Sequence, residues 1–241
     1  MAMKRPLRSF GVLLGTAALA AASAAAGPWP RADLVLTPQP SGTDALLQAV
    51  SAVDTSLVWV SGHRGVVLRT TDGGATWTRL ATPAGDSLQF RDVDAFDERT
   101  AALLSAGPGT LSRLYRTRDG GATWTLQFLM DHPDGFLDCA AFWDADTGFA
   151  YGDAVEGVLY VLRTDDGGRT WTRLGAGALP AAQPGEGGFA ASGTCAATGP
   201  DGVGWIAAGN ARRARVLRTD DYGRTWRAAD APLPGGAAAG A

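Results

Sequence analysis

An all-β chain built from a repeated four-stranded antiparallel unit is the fold class that the sequence predicts, and three observations predict it. First, an octet recurs four times, as Thr70-Thr71-Asp72-Gly73-Gly74-Ala75-Thr76-Trp77, Thr117-Arg118-Asp119-Gly120-Gly121-Ala122-Thr123-Trp124, Thr164-Asp165-Asp166-Gly167-Gly168-Arg169-Thr170-Trp171 and Thr219-Asp220-Asp221-Tyr222-Gly223-Arg224-Thr225-Trp226. Second, the octet tryptophans follow one another at 47, 47 and 55 residues, close to the roughly 40 to 50 residues of a four-stranded propeller blade. Third, the segments between octets are short, β-prone and ended by Gly or Asp, and beyond residue 26 no stretch keeps an apolar 3.6-residue period for three turns. The expected architecture is therefore a β-propeller of about four blades.

Each element follows from local chemistry. In the first unit, strands are expected over 46–53, 57–61, 66–70 and 76–80. Second strands recur at Ala101–Ser105, 148–151 and Gly204–Ala208, and third strands at 114–117, 159–164 and 216–219. The octet is the turn between third and fourth strands: the carboxylate accepts backbone N–H bonds, and Gly takes a positive φ that other residues resist. Its Trp then opens the next strand and can bury its ring between sheets. Hence Asp72, Gly74, Trp77, Asp119, Gly121, Trp124, Asp166, Gly168, Trp171, Asp221, Gly223 and Trp226 are read as structural, not catalytic. The longer third spacing has a visible cause in 175–188, a Gly-, Ala- and Pro-rich insertion.

Residues 1–26 read as a secretory signal: Lys4, Arg5 and Arg8 form a charged head, 10–22 an uncharged apolar stretch, and 22–26 a small-residue cleavage region. The expected location is exported, periplasmic or secreted, without stable membrane insertion after cleavage. The formal net charge of −3 becomes more negative once that head is removed, which argues against a nucleic-acid partner. Residues 27–43 are expected to form a linker and, from Asp33, an N-terminal closing strand. The blades are expected over 44–231, and 232–241 is a Gly/Ala/Pro tail. With no strand-like segment in that tail to pair with the closing strand, the sequence reads first as part of a longer ring, the alternatives being four blades that close alone or an open arc that assembles with another copy.

The octets match the Asp-box, or BNR, pattern, and the chain resembles exported bacterial propellers related to the photosystem II assembly factor. That resemblance is carried also by Gly65-Val66-Val67-Leu68-Arg69-Thr70, Phe142-Trp143-Asp144-Ala145-Asp146-Thr147-Gly148 and Gly185-Glu186-Gly187-Gly188-Phe189-Ala190-Ala191-Ser192-Gly193-Thr194. It implies a non-catalytic scaffold that binds a protein or peptide and assists assembly of an envelope complex. The rival reading is a sialidase-like glycosidase or a glycan-binding lectin. A sialidase needs an arginine cluster, an acid/base Asp and a Tyr nucleophile. Phe90-Arg91-Asp92 is the nearest string to the family's Arg motif, and it lacks the Ile-Pro and follows the first octet.

No cofactor or metal is expected, since His63 and His132 are the only histidines and Cys139 and Cys195 the only cysteines. These cysteines hold equivalent places in their units. They are expected to be two buried thiols, because rotation-related Cα positions can exceed the roughly 7 Å limit for a bridge. The face opposite the octets carries the candidate binding residues His63, Arg64, Arg91, Asp138, Asp153, Glu186, Arg212 and Arg213. Of these, Arg64, Arg212 and Arg213 are the expected anchors for carboxylates.

Overall fold

The computed structural model describes residues 35–83 and 85–236. The chain divides into two compact units, Met1–Pro38 and Gln39–Ala241. In the first, residues 35–38 are described and lie in no helix or strand. The expected signal segment, and the start of the expected closing strand at Asp33, fall outside the described residues.

The second unit is all-β, with four separate antiparallel sheets of four strands, each in sequential order. Sheet 1 holds β1 (Leu47–Ala52), β2 (Val58–Gly62), β3 (Val67–Thr70) and β4 (Thr78–Arg79). Sheet 2 holds β5 (Phe90–Ala95), β6 (Ala101–Ser105), β7 (Arg113–Thr117) and β8 (Thr125–Leu129). Sheet 3 holds β9 (Leu137–Phe142), β10 (Gly148–Val155), β11 (Val158–Thr164) and β12 (Thr172–Arg173). Sheet 4 holds β13 (Ala196–Thr198), β14 (Gly204–Ala208), β15 (Arg215–Thr219) and β16 (Arg227–Asp230). The arrangement is that of about four propeller blades, and the sheets do not close into a ring.

Every fourth strand starts after its octet Trp, later than expected because the octet keeps its closing Thr-Trp pair inside the turn, and β4 and β12 hold two residues each. The Thr70 hydroxyl donates to Asp72 Oδ1 (2.7 Å) and accepts from the Gly74 amide (2.9 Å). Asp72 in turn accepts from the Thr76 amide (2.9 Å) and hydroxyl (2.7 Å). The same set recurs around Asp119, Asp166 and Asp221. Gly74 has φ +89° and its counterparts Gly121, Gly168 and Gly223 lie between +75° and +84°, a region costly for a side chain with Cβ.

The core forms between sheets, as strand alternation requires. Trp59, Val67, Phe90 and Leu103 fill the space between sheets 1 and 2. Leu104, Leu114, Leu137 and Tyr160 fill the next, and Phe149, Tyr151, Ile206 and Leu217 the last. Octet tryptophans join these layers from the following sheet: Trp124 meets Trp59 edge-on at 6.4 Å, and Trp226 meets Phe149 at 4.9 Å. Arginines reach the other way. Arg69 donates to Gly120 O (3.2 Å), Arg118 to Gly167 O (3.4 Å) and Arg163 to Tyr222 O (2.6 Å), each an octet carbonyl of the next sheet.

The expectation of free thiols is overturned. Cys139 and Cys195 form a disulfide with Cα atoms 6.0 Å apart. The neighbouring inner strands β9 and β13 pack against each other, and this brings the two Cα positions inside the roughly 7 Å limit.

Two outcomes follow. Replacing both cysteines with Ala releases a loop of 56 residues, which loop-closure entropy values at about 4 kcal/mol; denaturant titration should show a loss of about 2–4 kcal/mol, and an unchanged midpoint would contradict the closure. The octet hydrogen bonds hold Asp72 and Asp119 down to about 2, led by the Thr76 and Thr123 hydroxyls respectively. Their stabilisation is thus present above the ordinary carboxylate range near ~4 and lost as pH falls toward about 2. In Asp119→Asn, acid unfolding followed by tryptophan fluorescence should be less steep across that window.

Candidate functional site

The insertion after β12 does more than lengthen a loop. Its end and the residues that follow it, 186–195, run as a strap across the inner strands and touch all four sheets. Glu186 O accepts from Ala154 N (2.8 Å) in sheet 3, and Gly187 forms an antiparallel bridge with Gly209 after β14. The Gly188 amide donates to Asp138 Oδ2 (3.0 Å) on β9. Arg91 on β5 donates to Ala190 O (3.2 Å), and Gln48 on β1 to Ala191 O (3.1 Å). Cys195 then returns to sheet 3 through its disulfide.

The strap is glycine-rich because the carboxylates below leave no room. A Cβ at Gly187 would stand 1.7 Å from Asp153 Oδ1, and one at Gly188 would stand 2.7 Å from Asp138 Oδ2. Four acidic residues lie beneath or within it. Asp138 is buried, and burial, followed by the charge of Asp153, pushes its carboxyl up to about 8 against the opposing Gly188 and Ala190 amides and Arg91. Asp153 is raised by burial. Asp92, buried on β5, accepts from Ala140 N (2.8 Å) and is raised by burial as well. Glu186 is fully enclosed and paired with Arg215 through two bonds of 2.8 and 2.5 Å. Tyr151, raised chiefly by burial, packs behind them.

The structure thus brings Arg91, Asp138, Asp153 and Glu186 together at the strap and leaves the other candidates at the rim. His63 and Arg64 form the β2–β3 turn. Arg64 has φ 54° and an exposed ion pair to Asp44 (2.5 Å). Arg213 pairs with Asp230 (2.7 Å) and accepts from Gln183 Nε2 through its carbonyl (2.9 Å). Arg212 is exposed beside it. Asp92 lay beside Arg91 on the face expected to bind, whereas sequence reasoning missed Asp94, Arg116 and Arg215. Asp92 and Asp94 alternate on β5 toward sheet 3, where an apolar pair is the rule; that polar alternation in an inner strand was the available signal. Burial, then Asp92, raises Asp94, while Arg116 opposes the shift.

Beside the strap a groove of about 200 Å³ opens between Phe189, Ala208, Asn210 and Ala214 on one side and Leu233 and Pro234 on the other. Arg212 and Arg213 lie on the loop that walls it. Among the described residues no group of three or more His, Cys, Asp or Glu is placed to hold a metal ion, and no helix is long and apolar enough to cross a membrane.

No family model and no curated protein matches the chain. Solved structures do. A GH74 xyloglucanase from Xanthomonas campestris superposes with TM-score 0.54 at 19% identity, over 78% of this chain and 31% of that one. The GH74 enzyme of Niastella koreensis gives TM-score 0.51 at 22% identity, over 75% of this chain and 24% of that one. A structure described as YCF48 bound to D1 peptide gives TM-score 0.46 at 17% identity, over 77% and 67%. The chain spans about a quarter to a third of the GH74 enzymes it matches. What the two GH74 likenesses show is the β-propeller fold.

Asp138 tests the strap electrostatically. Its folded carboxyl titrates near 8 and an unfolded aspartate near ~3.9, so the folded chain holds an extra proton between those limits. Stability from this group is full below about pH 4 and is lost as pH rises toward 8. Asp138→Asn removes that slope, so its urea midpoint should gain on the parent between pH 5 and pH 8; parallel pH profiles would contradict the burial.

Proposed function

We propose that this chain is a non-catalytic, exported scaffold that binds a protein or peptide segment at the rim beside the strap, assisting assembly of an envelope complex. In this reading the four octets are Asp-box turns, structural corners that hold the sheets while the opposite face does the binding. One observation carries it: the acidic residues turn inward and are engaged by backbone amides or Arg215, whereas the solvent side offers an apolar groove flanked by exposed Arg212 and Arg213. A groove that takes an apolar side chain, with exposed Arg212 and the Asp230-paired Arg213 on the loop that walls it, fits a peptide pairing an apolar residue with a carboxylate. Preformed loops on a rigid β framework are the usual place for such recognition.

A second reading has its own support. Asp138 and Asp153 are neighbouring carboxyls held toward the protonated form, the condition for acid catalysis on a glycoside. In that reading the strap must move for substrate to reach them.

Fluorescence anisotropy with labelled peptides that combine Leu or Phe with an adjacent acidic residue separates the two. Binding is expected, and Arg212→Ala with Arg213→Ala should weaken it by roughly 10-fold or more. Leu233→Asp should weaken it as well. Absence of binding across this peptide class, or turnover of an aryl glycoside that Asp138→Asn abolishes, would overturn the scaffold reading.

A further inference from the structure

The contacts joining consecutive sheets are directional. Each sheet sends an arginine forward to the octet carbonyl of the next: Arg69 to Gly120 O, Arg118 to Gly167 O and Arg163 to Tyr222 O. Each following octet also lays its indole at the interface with the sheet before it. The pattern has a donor end at sheet 4 and an acceptor end at sheet 1, and among the described residues no further sheet covers either, although Gln39 already meets the acceptor carbonyl.

At the donor end, sheet 4 alternates strictly. Ile206, Leu217 and Trp226 are buried against sheet 3. The opposite face shows Trp205 (37% exposed), Val216 (38%), Ala207 and Ala229 to solvent. Trp205 and Arg218 are cross-strand partners, as are Ala207 and Val216, so these side chains form one continuous surface. Arg218 stands one residue before its octet, the position held by Arg69 and Arg163, and its guanidinium donates to Asp220 of its own sheet (3.0 Å). A solvated antiparallel face ordinarily carries polar side chains; this one is mostly apolar.

At the acceptor end, sheet 1 is the complement. Its outward face carries Val50 (70% exposed) and half-buried Val58 and Val60, with Leu46 (61%) just before β1. Gly73 O, the octet carbonyl equivalent to Gly120 O, accepts from the Gln39 amide (3.1 Å). That bond uses an uncharged donor and leaves a second lone pair on the carbonyl.

We propose that sheet 4 of one copy docks on sheet 1 of a second copy, repeating across the copies the contact that joins consecutive sheets within the chain. Arg218 then reaches Gly73 O of the partner copy, and Trp205 and Val216 cover Val50, Val58 and Val60. The contact is head-to-tail, so two copies related by a two-fold axis make it twice and complete a ring of about eight sheets. That number lies within the 4 to 8 blades that propellers use. The pairing also covers apolar side chains that each copy otherwise leaves exposed, Trp205 and Val216 on one face and Val50 on the other.

Light scattering coupled to size-exclusion chromatography, with analytical ultracentrifugation over a concentration series, tests this on the purified chain. A species of twice the chain mass is expected. Trp205→Glu and Val50→Glu, both at exposed positions, should each raise the dissociation constant by on the order of 100-fold. Leu129→Glu on the equally exposed β8 should leave it unchanged, and thermal melts should show all three variants folded. A monomer at these concentrations, or an assembly that survives either of the first two changes, overturns the proposal. Peptide binding at the Arg212–Arg213 groove is measured separately and stands or falls without it.

Discussion

The structure depends on a close approach: backbone without side chains lying directly over buried carboxylates. Gly187 and Gly188 pass within Cβ distance of Asp153 and Asp138, and no other residue could pass there without moving one or the other. Because of that fit, a segment with little apolar surface is held across sheets that are otherwise joined by side-chain layers and by arginine bonds to octet carbonyls. The amide of Gly188 partly offsets the burial of Asp138, and Arg215 does the same for Glu186. Unsatisfied, such groups would cost several kcal/mol each. The disulfide then fixes the return of the strap to β9.

This arrangement shapes what the chain can do. In a propeller the inner strands line a central space, and here the strap fills that space with the protein's own backbone. In the scaffold reading proposed above, ligand chemistry lies further out, at the loop and groove where Arg212, Arg213 and Leu233 meet solvent. The acidic residues that would draw attention as catalytic groups instead anchor the strap. The raised affinity of Asp92, Asp138 and Asp153 for protons records burial beneath the strap as much as it would record a task in catalysis.

Much of the fold was legible in the sequence. The octets carry their own explanation, since each Thr-x-Asp-x-Gly-x-Thr-Trp closes on itself through local hydrogen bonds that need no distant partner. The β2, β3, β6, β7, β14 and β15 segments lie where short β-prone runs ended by Gly or Asp placed them. What the sequence concealed is long-range. The strap reads as loop because Gly, Ala and Ser carry no periodic signal, and its order comes from residues up to 143 positions away, such as Gln48 bonded to Ala191. The disulfide was hidden for the same reason: equivalent repeat positions gave adjacency, but the Cα separation of 6.0 Å is set by how the two sheets pack. Among the site candidates, Asp138, Asp153, Glu186 and Arg91 converge as their shared face suggested, while Arg64 and Arg213 hold separate surface ion pairs.

Hydrogen exchange over 186–195 tests the seating of the strap most directly. Amides of Gly187, Gly188 and Gly209, which bond to carbonyls or a carboxylate inside the structure, should exchange as slowly as those of β9 and β10. Exchange of this segment at the rate of an exposed loop, with β9 and β10 still protected, would show that the carboxylates are open to solvent and that nothing crosses the inner strands.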